Sequence, residues 1–194
     1  MRIGVIGAGN IGGTLGRLWS DRGHDVVYGV RDGGRAPEGG RTASIPEAVR
    51  QVEVVVLAVP WGAAHDAVQN AGNLSGKVLI DCTNMGGDAQ SSGAEKIAGW
   101  APGARVVKSF NQAGWETLEQ PELDGHKAVM FVAGDDAEAK QVASELGREL
   151  GLDMIDAGPL SNARLVENLA SLWIDLAFRQ GQGRGFAFGV LRRR

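Results

Sequence analysis

A single cysteine, Cys82, leaves no internal disulfide to form and fits a reducing compartment. With three histidines besides, no metal-ligand spacing emerges, so no metal site is expected. Charge of one sign is also lacking: 20 Lys and Arg stand against 23 Asp and Glu, a net charge of −3. Such a balance carries no electrostatic footprint for nucleic acid or for an anionic membrane. The closing triplet Arg192, Arg193 and Arg194 reads as a solvated end. No apolar run is long enough to span a bilayer, and "IGVIGAG" follows Met1 and Arg2 without a leader-like stretch. A cytoplasmic protein is the expectation. Aromatic residues are only 6% of the chain, so the C-terminal gathering of Trp173, Phe178, Phe186 and Phe188 stands out. It reads as packing and interface.

Glycine is abundant instead, at 30 of 194 residues. No fixed period organises it, which excludes collagen and repeat architectures and leaves close backbone packing or ligand approach. Around the glycines the chain alternates between apolar β-branched runs and helical patterns. "RIGVIG" (2–7), "DVVYGV" (25–30), "EVVVLAVP" (53–60), "KVLIDC" (77–82), "ARVVKSF" (104–110), "KAVMFVAG" (127–134) and "LDMIDAG" (152–158) read as strands. Helical segments fall after residue 10, from the capping box Ser44-Ile45-Pro46-Glu47, and over 61–71, 91–99 and 136–150. "RDGGRAPEGGR" (31–41) reads as a loop. The predicted class is α/β: a Rossmann-type, doubly wound, mainly parallel sheet over 1–158. Residues 159–194 form a small helical extension. Its segment "SNARLVENLASLWIDLAF" is apolar around much of its girth, which predicts packing on the sheet domain and against a second copy, a homodimer.

Gly7-Ala8-Gly9-Asn10-Ile11-Gly12 is G-x-G-x-x-G between a strand and a helix, the context that makes the pattern a dinucleotide turn. Its glycines permit a tight turn, a bare backbone beside the pyrophosphate and close helix–strand packing, while the helix start offers amides to the phosphates. An acid usually ends the second strand and takes the adenosine ribose. Here Arg31 stands there, with Arg35 four residues on. A guanidinium suits a 2′-phosphate, which points to NADP(H). Asp32, twenty residues after Gly12, keeps NAD(H) open if the strand ends one residue later.

Few side chains tempt as catalysts. His24 and His126 precede strands, and His65 reads as a surface histidine. Lys108, before Ser109-Phe110-Asn111, is the general-acid candidate if the substrate is a carbonyl or imine; its plain alternative is a solvated strand-end lysine. Cys82 reads as a small buried residue. Hydride transfer between planar rings needs orientation and water exclusion above all. "FVAG" (131–134), "DAGPL" (156–160) and the "SFN" turn are the expected walls of the acceptor site. A redox-sensing dinucleotide module without turnover is the reading from another class.

Several of these motifs, "IGVIGAGNIGGTLG", "YGVRD", "AVPW", "VLIDCTN", "VVKSFN", "FVAGDDAEAK" and "DAGPLSNARLVENLASLWIDLAF", resemble the NADPH-dependent deazaflavin reductases. These are the coenzyme F420-dependent NADP oxidoreductases, related to the cytosolic reductase domains of the STEAP metalloreductases. The resemblance covers nearly the whole chain. It implies NADP(H) as cofactor and coenzyme F420 or a flavin as the small-molecule acceptor. Ala8, Gly9, Asn10 and Ile11 would wrap the pyrophosphate, and Arg31 and Arg35 would meet the 2′-phosphate. Ala58, Val59 and Pro60 would lie on the nicotinamide side, with Asn84 closing the next strand. Relatives often carry Ser-Arg where this chain has Val30-Arg31, and proline where it has Asn168.

Overall fold

The computed structural model describes residues 1–31, 34–37, 39–86, 91–191 and 193. β1 (Arg2–Ile6) is a β-branched run that turns through Gly7–Gly9 into α1 (Asn10–Ser20), and β2 (Asp25–Val30) follows. β3 (Arg41–Ser44) leads into α2 (Ile45–Arg50), then β4 (Val54–Leu57). A 3₁₀ turn (Trp61–Ala63) runs into α3 (Ala64–Ala71), followed by β5 (Val78–Asp81), α4 (Gly93–Trp100), β6 (Arg105–Lys108) and α5 (Trp115–Glu119). A small hairpin of β7 (Glu122–Leu123) and β8 (His126–Lys127) precedes β9 (Val129–Gly134), α6 (Ala137–Glu149) and β10 (Asp153–Gly158). A second 3₁₀ turn (Leu160–Asn162) opens α7 (Ala163–Ile174), whose last turn widens into a π-helix (Asp175–Arg179).

Three helix starts are held by side chains that the sequence places for the purpose. Ser44 donates both its N–H (3.2 Å) and its hydroxyl (2.6 Å) to the Glu47 carboxylate, and Ser92 does the same to Glu95 (2.8 Å each). Asp136 accepts from the Ala139 N–H at 2.7 Å. α1 differs. Gly9 sits at its N-cap, no side chain caps it, and its first turn holds no acid. The first amides of that helix therefore have no partner within the helix or from a cap.

Eight strands pair in the order β10-β9-β6-β5-β4-β1-β2-β3. The chain leaves β1 toward β2 and β3 on one side and returns at β4 on the other, so the strand order reverses at β1/β4. That switch point is where an open α/β sheet leaves a crevice at its carboxyl edge. One core lies under α1, α5 and α6, with Leu15, Trp19, Phe110, Leu118, Met130 and Leu146. The other lies under α2, α3, α4 and α7, with Ile45, Val68, Leu79, Ile97, Ala163 and Val166. α7 is thus part of the second layer.

Three expectations are corrected. Residues 41–44 form an edge strand paired in parallel with β2, between the end of the expected loop and the capping box, where no strand is expected; their mostly exposed "RTAS" has too little apolar character to announce it. Lys127 belongs to the hairpin, and β9 begins at Val129. Most consequential, β9 pairs antiparallel with β6, placing Ala133 beside Lys108 and Gly134 beside Val107, and β10 runs parallel to β9. Their carboxyl ends point to the opposite end of the sheet from the crevice: Asp136, just past β9, meets Arg105 at the start of β6 (3.8 Å). "FVAG" and "DAGPL" therefore run away from the crevice edge, although Ala133 and Gly158 still lie level with Lys108 at the carboxyl end of β6. Asp156 there binds Lys140 (2.8 Å) and accepts from the Gly158 N–H (2.7 Å). Burial pushes its carboxyl up, but these two partners hold it below its ordinary value. Among the described residues, no helix is long and apolar enough to cross a membrane.

Candidate functional site

At the β1/β4 crevice opens a cavity of about 850 Å³, within the size range of small-molecule and cofactor sites. Gly7, Ala8 and Gly9 form its floor, Gly29, Val30, Arg31, Gly34 and Arg35 one wall, and Ala58, Val59 and Pro60 the other. Ile6, Ile45, Ala63, Asp66, Ala67 and Asn70 complete it. Of the residues expected in the site, Asn10, Ile11, Gly12 and Asn84 do not line this cavity. Ile45, Asp66, Ala67 and Asn70 were not signalled by any motif, because their helices are brought to the crevice only by tertiary packing.

The glycine turn is built by two steric requirements. A Cβ on Gly7 (φ 99°) would lie 2.4 Å from the Ala58 carbonyl oxygen, and one on Gly12 only 2.1 Å from that of Gly7. β1, β4 and α1 meet too closely there for any side chain. Gly9 is the opposite case: nothing in the protein lies within 4 Å of a Cβ built on it. Its bareness serves space outside the fold, beside the uncapped start of α1. A phosphate group fits both features, since it needs close backbone approach and helix-start amides.

The wall after β2 supplies charge. Arg2, Arg17, Arg41, Arg105 and Arg184 each meet a carboxylate. Arg31 and Arg35 line the cavity, are exposed, and pair with no carboxylate among the described residues. Asp32 lies outside the described residues. Two guanidiniums without a carboxylate partner among the described residues, in a cavity that already suits a pyrophosphate, make a fitting seat for one more phosphate.

Lys108 is neither solvated nor at the cavity. It is fully buried on the α4/α7 side of the sheet, 2.9 Å from Asp81 and 3.2 Å from Glu167, and it donates to the Thr83 carbonyl. Its ammonium thus donates hydrogen bonds to Asp81 and to the Thr83 carbonyl and is ion-paired with Glu167. Glu167 also accepts from the Gly93 and Ala94 N–H groups at the start of α4 (3.1 and 3.3 Å), and Asp81 from the Thr83 N–H (2.8 Å). Two carboxylates around one ammonium leave an excess negative charge, which the N-terminus of α4 faces favourably. The cluster ties β5, β6, α4 and α7 together. Buried and outside the cavity, Lys108 is not placed to act as a general acid there. Cys82 is likewise inert: burial, with neighbouring Asp81, pushes its thiol far up. His65 is exposed and stands edge-on to Trp100 (4.9 Å between centroids).

A family profile described as "NADP oxidoreductase coenzyme F420-dependent" matches residues 2–85. The F420-dependent NADP reductase of Methanothermobacter thermautotrophicus is 32% identical, over 92% of this chain and 90% of its own length. The chain belongs to the F420-dependent NADP oxidoreductase family. It is an NADP(H)-dependent oxidoreductase. An Arthrobacter sp. FB24 protein solved as a candidate F420-dependent NADP reductase superposes with a TM-score of 0.88 at 30% identity, covering 99% of this chain and 100% of that one. Rat metalloreductase STEAP3 is 32% identical over 86% of this chain, but the chain spans only 36% of that protein's length. A reductive aminase from Aspergillus terreus, at 20% identity and a TM-score of 0.71, shares the fold.

Proposed function

We propose that the chain passes a hydride between NADP(H) and a deazaflavin or flavin-like acceptor. The observation that carries this reading is the near full-length kinship with an F420-dependent NADP reductase, joined to a cavity whose exposed Arg31 and Arg35 suit a 2′-phosphate. Ala8, Gly9 and the amides opening α1 would hold the pyrophosphate, and Arg31 and Arg35 the 2′-phosphate. Val30, Ile45 and Ala67 offer apolar surface to the adenine. Ala58, Val59 and Pro60, just past β4, would lie toward the redox end. A bound dihydronicotinamide supplies the hydride; the acceptor takes it with one proton from solvent, leaving NADP⁺ and the reduced ring. No side chain need form a bond, so what the protein contributes is face-to-face placement and exclusion of water.

Mixing the protein with NADPH and oxidised coenzyme F420 in a stopped-flow cell tests this. Absorbance should fall at the dihydronicotinamide and deazaflavin bands together; binding without loss of either would reject it. A carbonyl or imine reductase would require a proton donor, and Lys108, buried outside the cavity beside Asp81 and Glu167, is not placed to be that donor. The same reading takes the protein as a homodimer, joined through the face of α7 that leaves Leu165 (56%), Leu172 (49%) and Phe178 (60%) exposed. Sedimentation showing a monomer that Leu172→Glu leaves unchanged would count against it.

A further inference from the structure

Past the end of β6, side-chain amides form a line along the carboxyl edge of the sheet, outside the mapped cavity. The Phe131 N–H donates to Gln112 Oε1 at 2.7 Å. Gln112 Nε2 donates to Asn111 Oδ1, and Asn111 Nδ2 to Asn84 Oδ1 at 2.9 Å. The direction of this line follows from its first member. A backbone N–H can only donate, so the Gln112 oxygen must face Phe131 and its nitrogen must face Asn111. The Asn111 oxygen is then taken and its nitrogen faces Asn84. One end remains open: the Asn84 N–H₂, which has no partner among the described residues and belongs to a partly exposed side chain. Hydrogen bonds in series polarise one another, which strengthens the terminal donor.

Two further observations mark the place. Phe110, between Lys108 and Asn111, holds φ at +59°, a left-handed conformation that a bulky residue rarely adopts. It is completely buried and edge-on to Trp19 at 5.7 Å, so packing fixes a strained turn that aims Asn111 along the edge. Beside Asn84, the Thr83 hydroxyl is buried without a partner among the described residues. Native proteins rarely leave such a group unsatisfied, so the open end of the line adjoins a polar atom that the described fold leaves unused.

We infer that Asn111 and Gln112 are positioning residues that set the Asn84 carboxamide with its nitrogen outward, where it donates to the carboxamide oxygen of the bound nicotinamide. The inference rests on the NADP(H) reading and not on the identity of the acceptor. Asn84 follows β5, the neighbour of β4, and so stands on the side of the crevice away from Arg31 and the phosphate seats. Holding the nicotinamide by one fixed donor would set which face it presents for transfer.

Calorimetric titration with three ligands decides it: NADP⁺, its 3-acetylpyridine analogue, whose ring substituent accepts but cannot donate, and 2′-phospho-ADP-ribose, which lacks the ring. The wild type should bind the first two within about twofold of each other. Asn84→Ala and Asn111→Leu should weaken both by roughly tenfold, the loss expected for one donor, and leave the ringless ligand unchanged. Asn111→Asp, of the same size, is the sharper variant. Its carboxylate only accepts, so Asn84 must turn its nitrogen inward and its oxygen toward the ligand. NADP⁺ can answer by rotating its own carboxamide, but the acetyl analogue cannot. Asn111→Asp should therefore weaken the analogue roughly tenfold more than NADP⁺. Equal losses on all three ligands, or equal treatment of NADP⁺ and the analogue by Asn111→Asp, would overturn the inference alone. A wild type that binds none of the three would overturn the dinucleotide reading and this inference with it.

Discussion

Two cationic sites stand at the carboxyl edge of one sheet and have opposite fates. Arg31, just past β2, and Arg35 beyond it are exposed and unpaired with any described carboxylate. Lys108, the last residue of β6, is buried among two carboxylates and a carbonyl. A charge in water costs the fold little and remains available to a ligand. A charge in the core must be matched within the protein and is thereby withdrawn from chemistry. Which cation serves function is decided by what surrounds it, and residue type alone would have favoured the lysine.

The buried site should give the largest effect. Lys108→Met leaves Asp81 and Glu167 facing each other without a counter-charge and should cost about 3–5 kcal/mol of stability in urea unfolding. The triple change Asp81→Asn, Lys108→Met, Glu167→Gln should recover much of that. A Lys108→Met protein as stable as the wild type but without turnover would reverse the comparison and make Lys108 a catalytic group. At the exposed site, stability should hardly move. Replacing Arg31 and Arg35 together by alanine should weaken NADPH binding by roughly 10- to 150-fold, the worth of charge-assisted hydrogen bonds at about 1.5–3 kcal/mol, and NADH binding by less than about twofold. Similar losses for both coenzymes would show that the phosphate is not read there.

Legibility divides along the same line. The strand runs, the glycine turn and the Ser44 and Asp136 helix starts are local patterns, and a local reading finds them. The direction of β9 is not local. Side-chain alternation is the same in parallel and antiparallel strands, so nothing in "FVAG" and "DAGPL" tells that they run away from the crevice edge until pairing with β6 sets their direction. The engagement of Lys108 was equally hidden, because its partners come from β5 and α7. The line from Phe131 to Asn84 needs three strand ends side by side before any of its members has a meaning.

Smaller effects sharpen the contrast between buried and exposed groups. Cys82 should resist iodoacetamide at pH 8 in the folded protein and react on unfolding in urea, since burial raises its thiol. Labelling of the native protein at the rate of free cysteine would contradict its burial. At the surface, the Ser44 hydroxyl and N–H hold the Glu47 carboxyl below its ordinary value. A depressed carboxyl contributes stability that is fully present above the unfolded-state value and is lost as pH falls through the folded one. The stability difference between wild type and Glu47→Ala should therefore be full at pH 7 and fade as the carboxyl protonates below about pH 4.5. A difference that stays constant down to pH 3 would mean that the charge of Glu47 plays no part in the cap.

The guanidiniums of Arg31 and Arg35 carry the account, and direct titration of the wild-type protein with NADPH and NADH tests them most simply. The account predicts that NADPH binds at least about tenfold tighter at low salt, with the advantage shrinking as ionic strength rises. Equal affinities at every salt concentration would contradict it.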